Sequence, residues 1–327
     1  MKSSLRAILR KCIAVIIVPF VVYAVFMIIR PEAFLNTSLP VTILQQSMSN
    51  TVLAWGMSFS MMIGNMDFSC VAERIFGAIV GITLANIIGP IGLIIGVILV
   101  AAVVGVIKAL LLATLDVKNR VITIAYTLAL GSLGYLVTNG DTNAVSGGLG
   151  ILGEEWFRVA LFVVLGVIMY MLHRYSLFGA QCRALAGNEQ IALSSGVRKK
   201  RVEGIATIVC SAFIAASSLL SVSRGGGVTP QSGLTSMSAV FSAMSGVFIA
   251  NAMSSYISQP IGIIVGNYTM SLIVYGLIAC DLPSQLTTTV NGGFLLILLL
   301  VIEVKKAHEA ERVRRAAVAL QSAQTPA

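Results

Sequence analysis

Charge is scarce in this sequence. Only 11% of its 327 residues are Asp, Glu, Lys or Arg, whereas 57% are hydrophobic. A soluble domain needs far more polar surface than that, so a bilayer must act as solvent for most of the chain. Histidine is scarcer still: His173 and His308 are the chain's two, too few for a histidine metal site. The five cysteines, Cys12, Cys70, Cys182, Cys210 and Cys280, show neither CxxC pairing nor metal-ligand spacing and read as small apolar residues. Alternation with a period of two is missing as well, and uninterrupted runs such as Ile91–Val106 exclude a β-barrel. Behind the first apolar run, Ile13–Ile29, stands Arg30-Pro31-Glu32 rather than a small-residue cleavage site, which predicts a retained helix and not a cleaved signal peptide. No catalytic and no metal-ligating residues are expected.

What is present is a series of apolar runs of bilayer-spanning length, since about 30 Å of hydrocarbon needs roughly 20 residues of helix. The expected fold is an all-α polytopic membrane protein with about ten crossings, near 12–30, 42–63, 72–88, 91–115, 121–138, 158–174, 203–222, 239–257, 261–280 and 289–304. The net charge of +9 falls in clusters beside helix ends: Lys2, Arg6, Arg10 and Lys11; Lys118 and Arg120; Arg198 to Arg201; and Lys305, Lys306, Arg312, Arg314 and Arg315. That is the positive-inside pattern, not a nucleic-acid surface. It places both termini in the cytoplasm and divides the chain into a membrane domain, 1–304, and a basic tail, 305–327. The Gly-rich outer segment Ser223–Gly233 lacks the G-K-[ST] ending of a phosphate loop and reads as a flexible outer loop.

Two segments stand out. From Gly56 to Ile82 a helix runs into Gly64-Asn65, and Asp67 and Ser69 precede a new helix that either could cap. A helix broken near 64–70 marks either a translocation pathway or a plain reverse turn, because non-helical backbone is tolerated at membrane depth only inside protein or a wet cavity. Asn65, Asp67, Ser69 and Lys108 are the candidate pathway or gate residues. Lys108 falls within an apolar helix, where its ammonium either snorkels to the headgroups or pairs with Glu73 or Asp67. Glu73 and Arg74 are expected at the interface. The second segment, Phe178–Val197, reads F-G-A-Q-C-R-A-L-A-G-N-E-Q-I-A-L-S-S-G-V. It is a polar, small-residue insert between two long apolar runs. A short helix over about 188–195, capped by Asn188 or Glu189 and stopped by Gly196, would present Glu189, Ala192 and Ser195 at its surface.

The first segment resembles the G-M-x-F…G-G-I-D-L-S-V-G signature of sugar-type (ribose-like) ABC permeases. The second is similar, without a gap, to their F-G-R…A-x-G-G-N-E-x-A-A-x-x-S-G segment, through Phe178, Gly179, Ala184, Gly187, Asn188, Glu189, Ala192, Ser195 and Gly196. The resemblance implies a multi-pass permease of the bacterial inner membrane that is not itself an enzyme. It also implies a cytoplasmic ABC ATPase that uses the ATP, a second permease subunit (identical or different) and an extracytoplasmic solute-binding protein. This chain would bind no cofactor. Gly187, Asn188, Glu189, Ala192, Ser195 and Gly196 would couple it to the ATPase, and the solute would be a small polar molecule such as a sugar.

The chain departs from the family pattern at Ala180 in place of Arg, at Val71-Ala72 and the charged Glu73-Arg74, and at Lys108 in place of Asn. A Gly-rich stretch is also missing from Phe248–Gly262. It thus reads as a divergent member. Two alternatives stand beside the leading one: an autonomous secondary transporter, and a degenerate structural partner of a second permease.

Overall fold

The computed structural model describes residues 17–115, 117–254 and 256–281, with single positions between 289 and 311. Helix α1 covers Ile17–Ile29 and a single turn, α2, Pro31–Phe34. Then follow α3 (Leu39–Met62), α4 (Cys70–Ile88), α5 (Pro90–Thr114), α6 (Asn119–Thr138), α7 (Glu155–Tyr175), the short α8 (Leu177–Gly187) and α9 (Glu189–Ser194), α10 (Lys199–Gly225), α11 (Met237–Ala252) and α12 (Gln259–Ala279). Nine of the expected crossings thus have a helical counterpart among the described residues. The tenth, near 289–304, falls largely outside them, as do the termini and the basic tail.

Among the described residues six helices, α4, α5, α6, α7, α10 and α12, are long and apolar enough to cross a membrane. Their outward faces carry large apolar side chains such as Ile87 and Leu136, 72% and 71% exposed, which only lipid would solvate. α3 has the length, 24 residues, but a polar first half. It sits at the centre, against α10, α11 and α12, so it needs no apolar coat. Three of its buried hydroxyls bond its own carbonyls: Ser47 on Leu44, Thr51 on Ser47, Ser58 on Trp55. α11 stops at Ala252, short of the expected 257, because the Met253 N–H closes the last turn on both Ile249 and Ala250. α10 is longer than expected at 27 residues, about 40 Å of helix, so its basic first turn, Lys199–Arg201, stands beyond the apolar layer.

Glycine lets the backbones touch where the bundle is tightest. A Cβ on Gly96 of α5 would lie 2.5 Å from the Gly81 Cα of α4, and one on Gly266 of α12 would lie 2.4 Å from the Gly246 carbonyl oxygen of α11. Small residues at helix contacts are how membrane helices gain van der Waals energy without a hydrophobic drive. Ser211 and Ser218 of α10 serve the same close packing, facing Gly105 and Gly77.

At the end of the bundle opposite the α8–α9 insert, Asn143–Ala144 (β1) pair antiparallel with Gly227–Val228 (β2). Asn86 pins this ribbon by donating to the Ala144 carbonyl and accepting from the Ser146 N–H. The segment expected to be a flexible outer loop is therefore tied to the loop between α6 and α7. Arg30 and Asp281 meet in an exposed ion pair at 3.0 Å, which joins the ends of α1 and α12.

Candidate functional site

The break between α3 and α4 is as the sequence suggests: Ile63–Ser69 are non-helical and Gly64 has φ +82°. Neither Asp67 nor Ser69 caps α4 through its side chain. Instead Asp67 Oδ1 accepts the Ser69 N–H at 2.9 Å and the Ser69 hydroxyl at 2.7 Å, a local turn that orients the carboxylate. Its other oxygen, Oδ2, receives Lys108 Nζ at 2.7 Å. The same ammonium donates to Glu73 Oε2 at 3.0 Å and to Ser69 Oγ at 3.2 Å, which uses all three of its hydrogens.

Lys108 is fully buried, Asp67 4% exposed and Glu73 1%. Of the two alternatives for Lys108 the paired one holds, and one expectation, for Glu73, is corrected. Lys108 does not snorkel, because its ammonium is turned into the bundle by two carboxylates. Glu73 is not interfacial but a member of the cluster, while half-buried Arg74 bonds Asn50 Oδ1 at 2.9 Å.

α6 holds the same break from the other side, through Asn119 Nδ2 to the Met66 carbonyl and Thr127 Oγ1 to the Phe68 carbonyl. Asn65 is not brought into the cluster; its backbone N–H ends α3 on the Ser60 carbonyl. Asp67, Cys70 and Cys210 also bring ligand-type atoms within 4.8 Å of one another, a proximity the sequence spacing hides. Both Asp67 oxygens are already engaged and Lys108 supplies the positive charge, so the arrangement opposes a further cation. The cluster fixes geometry. One of its oxygens, Glu73 Oε1, is buried without a hydrogen-bond partner among the described residues.

The insert is two short helices. Ser176 Oγ accepts the Gly179 N–H and starts α8; Asn188 Oδ1 accepts the Ile191 N–H at 3.1 Å and starts α9. Gly196 closes it with φ +88°, a backbone region that favours glycine. Gly179 is obligatory by contact, since a Cβ there would be 2.3 Å from the Leu172 carbonyl oxygen. The inner face is anchored by Phe178 against Phe59, ring centroids 5.0 Å apart, and by Cys182, Leu185 and Ala192, which join a core with Ile63, Val202 and Phe213. Burial pushes the Cys182 thiol up to about 12.

Gly187, Asn188, Glu189, Ser195 and Gly196 are exposed, and Glu189 pairs with Lys199 at 2.7 Å. Ala192 is the exception: expected at the surface, it points inward and is 3% exposed. The exposed apolar residues of α9 are instead Ile191 and Leu193, at 63% and 44%. Sequence reading missed them, although the core-facing Ala192 and Leu185 would have assigned the faces had the insert's docking been known.

A bundle of apolar helices with a hydrogen-bonded polar centre, a broken helix clasped by buried charge, and a capped insert between α7 and α10 fits a multi-pass membrane transport protein. The profile of the family described as "Branched-chain amino acid transport system / permease component" matches residues 39–302, and the chain belongs to that family. It is similar to the L-arabinose ABC transporter permease protein of Azospirillum brasilense, 23% identical over 221 residues, 64% of this chain and 63% of that protein. It is also similar to the xylose transport system permease protein of Haemophilus influenzae, 25% identical over 142 residues, 43% of this chain and 37% of that protein. The aligned part thus spans less than two thirds of either relative. No solved structure matches it significantly. Family and apolar helices together make it a multi-pass protein of the inner membrane.

Proposed function

We propose that this chain is the membrane-spanning permease subunit of an ATP-binding-cassette importer that carries a small polar solute, a sugar in the first instance. A separate cytoplasmic ATPase drives it, a second permease subunit pairs with it, and an extracytoplasmic binding protein delivers the solute. The observation that carries this reading is the α8–α9 insert. Two capped helices are held on the bundle, yet they present small polar residues and three bare large apolar side chains, Leu177, Ile191 and Leu193, outward. Such a surface suits burial in a groove of a soluble partner better than contact with water. The sugar assignment is supported by the relatives named for L-arabinose and xylose.

The test is purification of the chain from native membranes. An ABC ATPase should accompany it, and Ile191→Asp, on a position 63% exposed, should release that ATPase while the permease stays folded. Retention of the ATPase by the variant would count against the insert as the docking element.

The buried cluster of Lys108, Asp67 and Glu73 is the one observation that favours a second reading, an autonomous ion-coupled transporter, because ionisable groups in a membrane interior commonly serve ion pathways. Uptake of labelled L-arabinose or xylose into vesicles that hold an ion gradient but no ATP would establish it.

A further inference from the structure

The insert is fastened to more than the helix that precedes it. Arg183 of α8 donates to the His173 carbonyl near the end of α7. The His173 imidazole Nε2 lies 2.9 Å from Oε1 of Gln259, the first residue of α12. Gln259 Nε2 in turn donates, at 3.2 Å, to Oδ1 of Asn251 near the end of α11. Because Gln259 spends its amide nitrogen on Asn251, its oxygen is the acceptor for His173, which therefore carries a hydrogen on Nε2. Gln259 is buried at 8% exposure, and the adjacent Pro260 carbonyl receives the Trp55 indole N–H of α3 at 3.0 Å.

The mechanics of the helices on either side differ. α7 buries little of itself beyond Met169 and is the span least held by the bundle. α11 and α12 are locked together where the Gly246 and Gly266 backbones touch. A displacement entering at the insert would move α7 readily, and a pull on Gln259 would move α11 and α12 as one body. Directional hydrogen bonds hold a register that apolar contact between α7 and α12 would let slide.

We propose that the His173–Gln259–Asn251 chain is a positioning relay that carries movement of the α8–α9 insert to the α11–α12 pair. It rests on the reading of that insert as the ATPase docking element. The test uses the full chain with its co-purified ATPase in nanodiscs, and reads amide hydrogen exchange over 250–263 with and without ATP.

In the wild type, ATP should change exchange in that segment. In His173→Phe and Gln259→Leu the ATPase should remain bound, but the ATP-dependent change should shrink about tenfold, within the usual range of coupling between sites. His173→Gln, which returns an N–H donor near the Nε2 position, should restore it, and the double variant should be no worse than either single one. A full ATP response in both single variants overturns the relay. So does raised exchange that is equal with and without ATP, since that marks the bonds as merely structural. An ATPase missing from the wild-type preparation would instead defeat the docking reading on which the relay rests.

Discussion

Lys108 shows how one side chain can organise a membrane bundle. A charge taken out of water needs both an opposite charge and saturated hydrogen bonds, and Lys108 finds Asp67, Ser69 and Glu73 on the break and on the first turn of α4. Two of the chain's departures from the family pattern, Glu73 and Lys108, thus account for each other. Buried pairs add little net stability, but removal of one partner strands the other. Lys108→Met should therefore destabilise the protein by about 3–5 kcal/mol, read as thermal unfolding in detergent. The uncharged triple variant Asp67→Asn, Glu73→Gln, Lys108→Met should recover most of the loss. Unfolding of Lys108→Met at the wild-type temperature would show that the cluster does not hold the break.

A second outcome concerns Cys182. With its thiol at about 12, about one part in ten thousand is thiolate at pH 8, and the thiolate is the reactive form. Cys182 should resist a polar maleimide at pH 8 until the protein is denatured, as peptide mass spectrometry would record. That Lys108 was anomalous could be seen in the sequence, whereas its choice between headgroups and carboxylates could not. The partners lie 35 to 41 residues away, and only helix packing brings them within reach.

At the scale of elements, caps and glycines set the insert. Asn188→Ala removes the bond to the Ile191 N–H and should cost about 1 kcal/mol, confined to α9 and seen as faster amide exchange over 189–194. Gly179→Ala puts a methyl 2.3 Å from the Leu172 carbonyl oxygen, so α8 must lift from the end of α7 at a cost of about 1–3 kcal/mol. A lowered melting temperature together with a weaker hold on the ATPase would be the signature. The Asn188 cap and the Gly196 stop could be read from residue type alone, because both act on neighbours within a turn. Ala192 could not be placed that way. Six residues of helix offer too short a period to reveal a face, and packing into the core that also holds Phe59 and Val202 decides it. α3 carries the opposite lesson: it is a central helix with polar residues that a hydropathy window undervalues, since its neighbours stand between it and lipid.

For the molecule as a whole, the ABC reading has one decisive consequence. Uptake of labelled L-arabinose or xylose into reconstituted vesicles, with solute and binding protein on the side opposite the insert, should require ATP on the insert's side within the lumen, with no transport when only an ion gradient is imposed. Ile191→Asp should abolish that uptake without loss of the folded permease.

Residence in a membrane, the approximate position of nine helices, the break after α3 and the capped insert were legible from residues alone. Each depends on free energies that accumulate locally along the chain: transfer of apolar side chains to lipid, backbone satisfaction at helix ends and the special backbone of glycine. Which helix faces which was not legible. Spans that are apolar all round carry no stripe to point them at a partner. The Lys108 cluster, the inward turn of Ala192, the β1–β2 ribbon and the His173–Gln259–Asn251 chain therefore came only with three-dimensional packing, where steric fit between small residues and the high cost of an unpaired buried polar group select one arrangement.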